Sequence, residues 1–131
     1  MSTSRMPMRG HIIHAVVPDP EGRNPKLRRL LVISVPSVKP GFDFDAVALS
    51  TQSPLADQLD HCVFLDQHGN PQAKLTKDAW IKCYWHVSLK LSDIDEGMHW
   101  GFVRSASVLQ SIDAILADLL SDTISTDPGD E

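Results

Sequence analysis

Between residues 81 and 91 apolar and polar side chains alternate without a break. Ile81, Cys83, Trp85, Val87, Leu89 and Leu91 form one set; Lys82, Tyr84, His86, Ser88 and Lys90 form the other. A period of two over this length does not fit a helix, whose period is 3.6, and predicts a half-buried strand with a bend or break near its end. Such a strand needs neighbours for its backbone groups, and the chain offers several. Residues 11–17 (HIIHAVV) are rich in β-branched side chains and stop at Pro18. Residues 30–35 (LLVISV), 44–49 (FDAVAL) and 61–65 (HCVFL) are further short apolar runs. The connections carry turn chemistry: PDPEGRNPK at 18–26 is a long, flexible loop, and QHGNP at 67–71 is a turn. Only the C-terminal part changes period. Val108, Ile112, Ile115, Leu116 and Leu119 recur at helical spacing, with Ser107 and Gln110 as a capping box, predicting a helix that ends near Leu120. The expected architecture is mainly β: a small β-barrel with one C-terminal α-helix packed on it.

At 131 residues, 42% of them hydrophobic, the chain has material for one core and too little for two. The expected organisation is a flexible N-terminus over 1–8, a single domain over 9–120 and an acidic, disordered tail over 121–131. No apolar run approaches the roughly 18 residues of a membrane span, and the N-terminus lacks the apolar centre of a secretory leader. Cys62 and Cys83 form neither a CxxC pair nor a disulfide framework, which places the chain in a reducing cytoplasm. The formal charge of −5 argues at first against a nucleic-acid partner. The charges, however, are segregated. Seven basic residues against two acids lie between Arg5 and Lys39, whereas residues 40–73 hold five acids and no Lys or Arg. The last eleven residues add four acids, and without them the balance is −1. A local basic surface is therefore compatible with the global acidity.

Most candidate chemistry dissolves on inspection. His11 and His14 are three apart on a strand, point to opposite faces and cannot share an ion, so they read as core or surface histidines. No HExxH, GxSxG, GxxxxGK[ST] or GxGxxG occurs, and no metal or cofactor is expected. Trp80, Trp85 and Trp100 read as core or rim residues, with base stacking the minority reading. The cluster Arg23, Lys26, Arg28, Arg29 differs, because it runs from a loop into a strand start that can aim a guanidinium. Arginine stays charged and binds phosphate bidentately. Ser50, Thr51 and Gln52 at the end of the third strand can donate to phosphate oxygens. Adjacent, these two strand ends would form a metal-free phosphate site.

The order of these motifs resembles the MazF/PemK family of bacterial ribosome-independent endoribonucleases, toxins of type II toxin–antitoxin pairs. The family's opening RGDIVLVDFP is similar to RGHIIHAVVP at residues 9–18, and its RRPALVLS to RRLLVIS at 28–34. Its AAITSQ resembles ALSTQ at 48–52, and its SWVKC strand resembles AWIKC at 79–83. The resemblance spans residues 9–120 and implies an SH3-like (MazF/PemK-type) barrel. It implies a cytoplasmic homodimer, without cofactor or metal, that is restrained by a cognate antitoxin. The implied reaction is cleavage of single-stranded RNA, with the ribose 2′-hydroxyl attacking the adjacent phosphate. By the same resemblance Arg28 and Ser50 are the catalytic pair, with Thr51 a rival to Ser50. Arg23, Lys26, Arg29 and Gln52 are RNA contacts. The chain departs from the family in carrying His11 for aspartate, Arg29 for proline and Ser50 for threonine. Arg29 loses a proline's backbone stiffness and Ser50 a threonine's χ1 stiffness. The alternative is a catalytically degenerate barrel that binds a peptide or nucleic acid through the same groove.

Overall fold

The computed structural model describes residues 6–125, with side chains through residue 119. Its strands are β1 (His11–Val17), β2 (Lys26–Ser34), β3 (Phe44–Ser50), β4 (Cys62–Leu65), β5 (Ala79–Leu89) and β6 (Gly101–Phe102), followed by one helix, α1 (Ala106–Ser125). They form one antiparallel sheet in the order β4-β5-β3-β2-β1-β6, curled into a half-barrel. The mainly β architecture with a closing helix is the one expected. Among the described residues no helix is long and apolar enough to cross a membrane.

Both faces of the sheet are covered, which explains why β2 and β3 read as continuous apolar runs. Ile12, Leu31, Val47, Leu49, Ile81 and Cys83 pack against Ile112 of α1. Ile13, Ala15, Leu30, Val32, Phe44, Ala46 and Ala48 pack on the opposite face with Trp85, Leu89 and Ile94. Successive residues Leu30, Leu31 and Val32 are thus all fully buried. Each contributes about 1.5–3 kcal/mol relative to exposure.

The long alternating strand breaks near its end, as expected, and also departs from regular geometry in its middle. The register with β3 runs from Val47↔His86 directly to Ala48↔Lys82, so residues 83–85 bulge out of the ladder. The single predicted face is split: Ile81 and Cys83 join the core under α1, whereas Trp85 and Leu89 join the other. Lys82, assigned by alternation to the polar face, is buried opposite Ala48 and Cys62. Leu91 lies beyond β5, in a 3-10 turn over Leu91–Asp93.

The helix begins earlier and ends later than its periodicity suggests. Its cap is Ser105, not Ser107: Ser105 Oγ accepts from Val108 N at 3.3 Å and its carbonyl from Leu109 N at 3.2 Å. Arg9, in the turn before β1, ties α1 to the sheet through Asp113 and the Leu109 carbonyl. Residues 121–125, assigned to the tail, are helical. The rest of the tail, 126–131, and residues 1–5 lie outside the described residues. Within the remainder of the expected flexible N-terminus, Pro7 is buried and Met8 donates its N–H to His11 Nδ1 at 2.8 Å. Gly101 is required by a close approach, since a Cβ there would sit 2.1 Å from the Ala73 carbonyl oxygen.

Candidate active site

The antiparallel register Leu30↔Ala48 places the start of β2 beside the end of β3. The β2–β3 pairing stops there, two residues short of Arg28 and of Ser50, and both residues line the cleft at this edge, so the two predicted strand ends are neighbours. At this edge lies an open cleft of about 320 Å³, with Leu49 and Ala79 as its apolar surface and His14, Arg28, Arg29, Ser50 and Thr51 as its polar lining. None of these lining residues is acidic. Two guanidinium groups without an opposing carboxylate make the cleft suited to an anion.

Arg28 is held from three sides. Its Nε donates to the Val17 carbonyl at 3.0 Å and its Nη2 to the Asn24 carbonyl at 2.8 Å. The guanidinium carbon stands 4.8 Å from the centre of the Trp85 ring. Trp85 is itself fixed by donation from Nε1 to the Pro18 carbonyl at 3.2 Å. The bulge in β5 therefore has a local purpose, because it turns Trp85 out of the helix-side core and under Arg28. Guanidinium carries five N–H donors, and those not spent on the two carbonyls make no hydrogen bond among the described residues.

The segment expected to be a flexible loop is organised by Asp19, a residue sequence reasoning passed over. Asp19 Oδ1 accepts from Arg23 N at 2.8 Å and Glu21 N at 3.1 Å, and Oδ2 accepts from Asn24 Nδ2 at 3.0 Å. The Arg23 backbone hydrogen bond is the main reason its carboxyl titrates below the ordinary value; the Asn24 and Glu21 hydrogen bonds and the Arg23 charge act in the same direction. This frame holds Asn24 at φ 53, where its carbonyl meets Arg28. The signal was present as an aspartate opening a Pro-Glu-Gly turn.

Ser50 Oγ accepts from Gln52 N at 3.1 Å, leaving its own O–H free to donate to a ligand oxygen. Thr51 is exposed at the rim. Arg29 is half-buried, lies across the ladder from His14, and places Nη2 3.5 Å from Thr76 Oγ1. The cleft thus gathers Arg28, Arg29, Ser50 and Thr51, but Arg23, Lys26 and Gln52 do not line it. Arg23 and Lys26 are exposed along its approach, and Gln52 contributes its backbone N–H.

His14 also lines the cleft, unforeseen from the sequence. Its partner across the ladder is Arg29, and its carbonyl accepts from Asp95 N at 2.7 Å. Burial and then the Arg29 charge hold the imidazole below its ordinary pKa, opposed by Asp95. The two thiols have a different character: burial raises Cys62, and pushes Cys83 up to about 12. Neither is a thiolate at neutral pH. Among the described residues no group of three or more His, Cys, Asp or Glu is placed to hold a metal ion.

No protein-family model matches the chain, and no curated protein matches its sequence. Solved structures do match. The Mycobacterium tuberculosis toxin MazF-mt6 superposes with a TM-score of 0.56 at 13% identity, over 83% of this chain and 96% of that one. An endoribonuclease from a mycobacterial species superposes with a TM-score of 0.61 at 16% identity, over 92% of this chain and 96% of that one. The chain has the MazF-like toxin fold.

Proposed function

We propose that this protein is a metal-independent endoribonuclease, the toxin of a type II toxin–antitoxin pair, and that it cleaves single-stranded RNA by 2′-hydroxyl attack on the adjacent phosphate. One observation carries the reading. Arg28, fixed but with donors to spare, shares with Ser50 a cleft that has no acidic lining. In the attack, negative charge grows on the non-bridging oxygens of phosphorus. A preorganised guanidinium and a hydroxyl donor stabilise that charge without reorganising. Arg29 and Thr51 hold the phosphate from the rim, and Arg23 and Lys26 receive the flanking backbone. The likeness to a toxin and an endoribonuclease supports the same reading, as does the basic strand start. A cytoplasmic setting, a homodimer and a cognate antitoxin follow from that reading.

A second reading rests on the same Arg28. Two backbone carbonyls and the Trp85 ring could be its whole purpose, leaving a degenerate barrel that binds RNA or peptide without cutting. The deciding experiment is expression toxicity together with cleavage of single-stranded RNA in EDTA, for the wild type and Arg28→Ala. The nuclease reading expects growth arrest and cutting by the wild type, and loss of both in the variant. A wild type that neither arrests growth nor cuts RNA supports the binding module. If cutting requires added metal, the metal-independent mechanism is wrong.

A further inference from the structure

His14 stands out among the described residues for one reason. Its Nδ1 is the one buried side-chain nitrogen or oxygen, among those described, with no hydrogen-bond partner. Leaving such a group unpaired costs about 1–3 kcal/mol, and an unsatisfied polar atom in an otherwise satisfied interior calls for a reason. The residue is not a mobile surface histidine. It sits in the middle of β1, between the ladder partner Arg29 and the backbone of Asp95. His14 lines the cleft together with Arg28, Arg29 and Ser50, and Nδ1 is the buried nitrogen of its ring.

Resting on the nuclease reading above, we infer that His14 is the proton-transfer group of this cleft. Its Nε2 accepts the 2′-hydroxyl proton as the bond between O2′ and phosphorus forms. The bond between phosphorus and O5′ breaks, and its electron pair leaves on the 5′ oxygen. That oxygen takes a proton from water, and the hydroxide so formed takes the proton held by His14. The products are a 2′,3′-cyclic phosphate and a 5′-hydroxyl end, with no other reactant consumed. The cleft otherwise lacks a base: arginine cannot deprotonate, and no carboxylate lines it. The groups facing the ring are Arg29 on β2, with Arg28 beside it, and Asp95 beyond β5. Burial and Arg29 favour the neutral ring, and Asp95 opposes them. A neutral imidazole at pH 7 is the form a general base needs.

The test uses the full-length protein and a single-stranded RNA that it cuts, under single-turnover conditions in EDTA. The wild-type rate should fall on the acid side with a midpoint below 6.5, the ordinary histidine value, and match the His14 ring titration followed by NMR. His14→Gln should cut about 10²–10⁴-fold more slowly while binding the 2′-deoxy oligonucleotide within about threefold of wild type. His14→Ala should regain part of its rate with added imidazole, an effect a merely structural histidine would not give. His14→Gln cutting at the wild-type rate overturns the assignment, and so does an acid limb that departs from the His14 titration. The latter is read on the wild type and stands even if a variant fails to fold. The two failures are separable. A wild type that cuts no RNA removes the nuclease reading and His14's role with it. A wild type silenced by Arg28→Ala but unaffected by His14→Gln removes only His14's role.

Discussion

β2 and β3 carry a cleft at each end, and the two are built on opposite principles. At one end stand His14, Arg28 and Ser50. At the other is a larger groove of about 500 Å³, lined by Ile33, Val38, Tyr84, Leu116 and Leu119 around Asp45 and His86. Asp45 is only 1% exposed, yet it is saturated. It accepts from Ser37 Oγ at 2.6 Å, Ser88 Oγ at 2.7 Å and Val38 N at 3.0 Å, and His86 Nε2 lies 3.6 Å away. Burial acts to raise its pKa, but the hydrogen bonds from Ser37, Val38 and Ser88 and the nearby His86 outweigh it and hold the carboxyl below its ordinary value. In the first cleft the accounting is reversed: His14 Nδ1 is unpaired, and Arg28 and Ser50 keep donors unspent. A polar group whose capacity is filled by its own fold stabilises the fold. One left partly unfilled, at a cost, is poised for a ligand.

The sharpest way to break this contrast is to exchange the expected losses. Asp45→Ala should cost about 3–5 kcal/mol by urea denaturation, because it strands Ser37, Ser88 and the Val38 N–H around a buried hole. Arg28→Ala should lose only about 1–3 kcal/mol, for two carbonyl hydrogen bonds and one ring contact. Its RNA cleavage should fall by at least about 10²–10³-fold. A large loss of stability with unchanged cleavage would move Arg28 into the same class as Asp45.

Acid titration tests the same contrast. A carboxyl whose folded pKa is depressed contributes stability that is complete above its unfolded value, 3.8 for Asp45 and Asp19, and is lost as pH falls through the folded value. The urea midpoint should therefore decline from about pH 4–5 downward. Asp45→Asn should flatten that decline more than Asp19→Asn, because Asp45 is buried whereas Asp19 is half-buried and partly screened by solvent. Equal flattening would mean that burial does not set the difference.

Two serines provide a matched pair. Ser88→Ala removes a hydrogen bond to a buried carboxylate and should cost about 1.5–3 kcal/mol, with RNA cleavage at the wild-type level. Ser50→Ala removes only an acceptor for the exposed Gln52 N–H and should cost about 1 kcal/mol or less. Its cleavage rate should nonetheless drop by about tenfold or more. If Thr51→Ala gives the larger drop, the hydroxyl at the phosphate is Thr51's.

How much of this could be read from the residues alone differs between the two ends. Runs such as LLVISV and FDAVAL announce strands, and bringing Arg28 and Ser50 to one cleft needed only the guess that their strands are neighbours. The saturated end was illegible, because Ser37, Asp45 and Ser88 meet through a fold and share no motif. Alternation along residues 81–91 correctly gave a strand but could not reveal a three-residue register jump. Side-chain period is local, whereas register is set by the partner strand. That jump is what sends Trp85 under Arg28 and buries Lys82. His14 shows the same limit. Periodicity separated it from His11, as the spacing requires, but the groups across the ladder decide what a strand histidine faces.

The mildest prediction concerns residues outside both clefts. Arg23 and Lys26 are exposed and make no side-chain hydrogen bond among the described residues, so replacing either with alanine should change stability by less than about 0.5 kcal/mol. If each meets one phosphate of a bound single strand, each replacement should reduce the slope of log K against log salt by about 0.7. Binding should weaken evenly across RNA sequences, since a backbone contact carries no base information. Arg29→Ala should reduce the slope similarly but also slow cleavage, because Arg29 lines the cleft beside His14. An unchanged slope in Arg23→Ala and Lys26→Ala would confine the RNA contact to the cleft itself. The basic segment before Lys39 would then be a charge pattern of the sequence with no counterpart in binding.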